Sequence, residues 1–70
     1  MKRRAVSSSS LRSIGYQPRT STLEVEFVNG GIYRYHGVPW EVVEALREAE
    51  SLGAFFNENI RDRYETVKVM

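Results

Sequence analysis

The sequence predicts an α+β domain, a three-stranded antiparallel β-meander with two C-terminal helices packed on one face. Three observations carry that expectation. Apolar and charged residues alternate from Leu23 to Phe27, the two-residue period of a half-buried strand. Asn29-Gly30-Gly31 supplies turn chemistry, and a second strand-like run, Ile32-Tyr33-Arg34-Tyr35-His36, follows at once. Beyond Pro39, Val42, Val43, Leu46 and Ala49 recur at the spacing of one helix face.

The elements follow in chain order. Met1-Lys2-Arg3-Arg4 reads as a basic, flexible start. Ser7 to Ser10 is flexible or strand-edge in character, and none of its hydroxyls has an evident base to activate it as a nucleophile. Residues 11–16 form the first strand, with Ile14 and Tyr16 inward; Gly15 marks either a bulge or a close backbone approach. Gln17-Pro18-Arg19-Thr20-Ser21 connects it to the strand over 22–28. The third strand covers 32–36.

Hairpin register decides which side chains meet. A three-residue loop, Asn29-Gly30-Gly31, pairs Phe27 with Tyr33, Glu26 with Arg34, Val25 with Tyr35 and Glu24 with His36. Opposite charges and aromatic–branched pairs each contribute roughly 0.2–1 kcal/mol across a sheet. This register is therefore preferred over a two-residue Asn29-Gly30 loop, and it gives Gly31 the left-handed position. Tyr33 and Tyr35 then share the inner face with Leu23, Val25 and Phe27, while Glu24, Glu26, Arg34 and His36 face water.

Helices are expected over 39–50 and 53–63. Pro39 suits the first helical position, where its missing N–H costs nothing. Trp40 laps over the edge of the core. Ser51 caps the second helix. Phe55, Phe56, Asn59 and Ile60 give that helix its face, and Tyr64 packs behind it. Residues beyond Thr66 are either a frayed tail or a short edge strand. The single domain is assigned to 5–66, with 67–70 as a tail.

Composition bounds the function. Seventy residues make one domain, 41% hydrophobic and 11% aromatic. Without cysteine there is no disulfide and no thiolate metal site. No run approaches a membrane span, so the expected location is the cytoplasm. The net charge of +1 hides an asymmetry: residues 1–36 carry six basic and two acidic residues, residues 37–70 four basic and seven acidic. A basic first half attracts polyanions. His36 is the only histidine, so no multi-histidine metal site exists, and no glycine-rich phosphate loop is present. We expect no catalysis, no cofactor and no small-molecule substrate.

Ser8-Ser9 before Leu11, Ile14-Gly15-Tyr16, the Leu23 to Phe27 alternation, Gly30, Tyr33-Arg34-Tyr35, Val38-Pro39, Ala49, Ser51, Gly53, Phe56, Ile60 and Tyr64 together resemble the KTSC domain. That domain is named for the C-terminal domain of some lysyl-tRNA synthetases and also occurs as free-standing small bacterial proteins. Its tyrosine–any–tyrosine motif maps onto Tyr33 and Tyr35. The resemblance implies an RNA-binding role. The expected nucleic-acid-binding residues are Arg12, Arg19, Tyr33, Arg34, Tyr35, Arg61 and Arg63. The competing expectation is a protein-interaction module, or a homodimer with no nucleic-acid role.

Overall fold

The computed structural model describes residues 1–70. Two helices cover one face of an antiparallel sheet, as expected, but the sheet has five strands rather than three. They lie in chain order: β1 (Arg4–Ala5), β2 (Leu11–Gln17), β3 (Thr22–Phe27), β4 (Ile32–His36) and β5 (Glu65–Lys68). Helices α1 (Trp40–Glu48) and α2 (Leu52–Asn59) stand between β4 and β5. Two-residue β1 carries no periodic signal of its own. It exists because its backbone pairs with β2, Arg4 opposite Ile14 and Ala5 opposite Ser13. The alternation of Val67 with Lys68 and Val69 resolves as an edge strand on β4, and the ladder continues to Met70, whose carbonyl accepts from the Ile32 N–H.

The central hairpin has a three-residue loop that begins one residue earlier than expected. Glu24 lies opposite Arg34, Leu23 opposite Tyr35, and Val25 opposite Tyr33. Phe27 N–H donates to Gly31 and Gly30 N–H donates back to Phe27, so Val28-Asn29-Gly30 is the loop. Gly30, at φ +98°, takes the left-handed position assigned to Gly31. Asn29 Oδ1 accepts from the Gly31 N–H and stabilises this turn. The slip relative to expectation is two residues, so every side chain keeps its face. The partners change: Arg34 meets Glu24 rather than Glu26, and His36 sits opposite Thr22 rather than Glu24.

A register shift between Leu11 and Ser13 turns Leu11 inward beside Ile14. The irregularity thus falls there, and Gly15 serves the other expected purpose, a close approach. A Cβ at Gly15 would lie 2.6 Å from the Lys2 carbonyl oxygen and 3.1 Å from Arg3 Cγ.

The core joins the sheet residues Leu11, Ile14, Leu23, Val25 and Tyr35 to Val43 and Leu46 of α1, Phe56 of α2, and Val38 and Ile60 from flanking segments. Both helices are shorter than expected. Pro39 is the residue before α1 rather than its first, extended at φ −71°, ψ 155°. Ser51 caps α2 as expected, its Oγ accepting from the Ala54 N–H at 3.2 Å. Asn59, placed on the inner face by sequence, is exposed, and its amide donates to the Phe55 carbonyl instead.

Phe56 is the hub of the aromatic packing, edge-on to both Phe27 and Tyr35 at 5.3 Å. Tyr35 is buried and Tyr33 half-buried. Tyr35→Ala should therefore destabilise the domain by about 3–5 kcal/mol in denaturant unfolding, and Tyr33→Ala by clearly less. Equal losses at the two positions would contradict this packing.

Candidate nucleic-acid interface

The seven residues expected to bind nucleic acid do not form one surface. Tyr33, Tyr35 and Arg61 line a cleft of about 520 Å³ between the hairpin and the end of α2, with Asp62 beside them. Burial, with Tyr33 adding to it, pushes the Tyr35 phenol up to about 12, so it stays neutral at ordinary pH. The two tyrosine rings are packed edge to face rather than laid open as a stacking platform: Tyr33 against Phe27, Tyr35 against Phe56. Arg12 is exposed and donates to the Val28 carbonyl at 3.0 Å. Arg19, in the β2–β3 connection, and Arg63, after α2, are also exposed.

Arg34 lies on the sheet face away from the helices, where it meets a side chain expected in water. Glu24 is 3% exposed. Arg34 Nε donates to its Oε1 at 2.7 Å, and Arg3 Nη1 donates to its Oε2. Arg3 Nε also donates to Ser13 Oγ at 3.0 Å, and Ser13 donates on to Glu26 at 2.9 Å. Arg3 reaches Glu24 across Gly15, which has no side chain to obstruct it. The stems of the two arginines cover the carboxylate that their heads neutralise. Burial alone would push the Glu24 carboxyl up; the hydrogen bonds from Arg34 and Arg3 outweigh it and hold the group below the usual carboxylate range.

Arg3 immediately precedes β1, and the residues on either side of it line a separate groove. Lys2 and Arg4 line a groove of about 360 Å³ closed by Arg47 of α1, with Tyr16, Pro18 and Trp40 also in its wall. No carboxylate lines it. The ion pairs of the protein all involve Glu24 or Glu26, so Lys2, Arg4 and Arg47 make none. Glu44, one turn before Arg47 on α1, is exposed and takes no part in the lining. Tyr16 is anchored by its hydroxyl, which donates to the Val38 carbonyl at 2.6 Å. Trp40, 46% exposed, rests on Tyr16 with ring centroids 5.8 Å apart.

Sequence reasoning missed this groove. Lys2 and Arg4 were assigned to a loose start and Trp40 to the core edge, and no binding role was assigned to Arg47. The available signal was the Lys2-Arg3-Arg4 run.

A five-stranded meander covered on one face by two helices, with a cationic groove at its β1 end, defines a small α+β domain. The KTSC domain model matches residues 7–64. A crystal structure of a KTSC domain protein from Yersinia pestis superimposes with a TM-score of 0.96 at 38% identity, covering 99% of this chain and 97% of that one. The chain therefore belongs to the KTSC domain family. A protein of Stutzerimonas stutzeri is 56% identical over 64 residues, 91% of this chain and 90% of its own length. A lysine–tRNA ligase of Nostoc is 39% identical over 55 residues, which are 79% of this chain but 10% of the ligase.

Glu24 makes the fold acid-sensitive in a definite direction. Its folded-state carboxyl lies below the ordinary value of 4.5, so the unfolded chain takes up the proton first as pH falls. The stabilisation is complete above that value and is lost as pH falls through the lowered folded one. Glu24→Gln removes this contribution, so the stability gap between wild type and variant should shrink on acidification from about pH 6 to about pH 3. A gap that stays constant across that range would refute the assignment.

Proposed function

We propose that this chain is a small, non-catalytic module that binds RNA, serving in the cytoplasm as an accessory domain. One observation carries the reading: three cations that make no ion pair, Lys2, Arg4 and Arg47, line a groove with no carboxylate in its lining. Such a site favours a polyanion despite a net charge of only +1. The kinship with lysine–tRNA ligases, whose names specify tRNA, makes RNA the polyanion to test first.

β5 favours a second reading, in which the module binds protein or another copy of itself. It is a free edge strand, and Val67 and Val69 are 47% and 45% exposed. Solution mass at high salt separates this reading, because edge pairing survives screening of charges.

RNA binding should be salt-dependent. Three cations on a single strand predict a slope of log K against log salt of about −2, each releasing roughly 0.7 of a counterion. Fluorescence anisotropy with a labelled oligoribonucleotide reads this slope. Arg47→Ala should reduce its magnitude by about 0.7. No measurable affinity at low ionic strength would leave the protein-binding reading in its place.

A further inference from the structure

We propose that the β1–β2–α1 groove takes an unpaired nucleotide, its base on Trp40 and its flanking phosphates on Lys2, Arg4 and Arg47, and that Arg3 sets the position of two of those cations from the opposite face of the sheet. This deepens the RNA-binding reading and rests on it.

The ligand class follows from what the groove combines. Cations alone fit any phosphate chain. An exposed indole braced from behind by an anchored tyrosine adds a flat apolar surface, and a base offers the matching face only when it is out of a helical stack. The rings most expected to stack, Tyr33 and Tyr35, are held in the edge-to-face cluster on the helix side. The groove volume, about 360 Å³, lies at the small end of the range of roughly 300–1,000 Å³ for compact ligands. It suits one nucleotide unit and not the side of a duplex.

Arg3 touches none of this groove. It holds Glu24, Ser13 and, at 3.9 Å, Glu26 on the other face. Lys2 and Arg4, the residues on either side of Arg3, line the groove while Arg3 does not, so holding Arg3 on the open face constrains where both can reach. Arg3 is therefore a positioning residue, and Gly15 is the space that lets β1 close down.

The test uses the full chain, a labelled single-stranded oligoadenylate and a blunt RNA duplex of equal length. Trp40 is the only tryptophan and reports stacking directly. The single strand should quench its fluorescence and bind at least about tenfold more tightly than the duplex. Trp40→Leu should weaken single-strand binding about 5- to 150-fold and remove the preference. Arg3→Met should lose as much affinity as Lys2→Ala/Arg4→Ala, with circular dichroism unchanged. Salt-dependent binding of both RNAs with no quenching, and with Trp40→Leu unaffected, would overturn this inference and leave the RNA reading standing. Binding to neither RNA would overturn both, and binding of a polyglutamate peptide instead would identify an acidic protein partner.

Discussion

The carboxylate of Glu24 is the point on which the sheet depends. Arg3, just before β1, and Arg34 from β4 both end on it, and Glu24 itself comes from β3. One row across the open face thus ties the residue before β1 to three strands: Arg3, the bare backbone of Gly15, Glu24 and Arg34. A hydrogen bond to a charged group contributes roughly 1.5–3 kcal/mol, more than an exposed ion pair. In a 70-residue chain with a marginal core, that is a large share of the margin. The helix-free face is consequently more than a wet surface. It carries Thr22, Glu24 and Ser13, all nearly buried.

The same row connects stability to the candidate site. β1 has only two residues in strand geometry and few backbone bonds of its own. Arg3, just ahead of it, anchors it, and the flanking Lys2 and Arg4 line the groove beside Trp40 and Arg47. A structural contact on one face becomes a ligand geometry on the other. Gly15 is needed on both counts, because a side chain there would meet the Lys2 carbonyl and the Arg3 stem together.

Much of the fold was legible because it is locally encoded. The alternation of Leu23, Val25 and Phe27 against Glu24 and Glu26 assigned both faces correctly, and a two-residue slip could not disturb that. Ser51 announced its cap. The register was misjudged because pairwise surface energies favoured Glu26 opposite Arg34, whereas the governing partner, Arg3, comes from a segment 21 residues before Glu24. No local pattern reveals a two-residue strand. The groove left only the Lys2-Arg3-Arg4 run as a local trace, because its cations and aromatic rings come from the N-terminal segment, β2 and α1, separate stretches that only the fold brings together. The Tyr33 and Tyr35 pair stands out as a motif, and both rings take part in the edge-to-face packing.

Amide hydrogen exchange in Glu24→Gln tests the central claim most directly. The Val6 N–H, bonded to the Arg12 carbonyl at 3.0 Å, reports closure of the β1 end of the sheet. If Glu24 anchors β1 through Arg3, that amide and those of β1 should exchange much faster in the variant, while Val25 and Tyr35 in the central strands stay protected. Unchanged protection at Val6 would show that β1 is held by its backbone pairing alone, and the Arg3–Glu24–Arg34 row would lose its organising role.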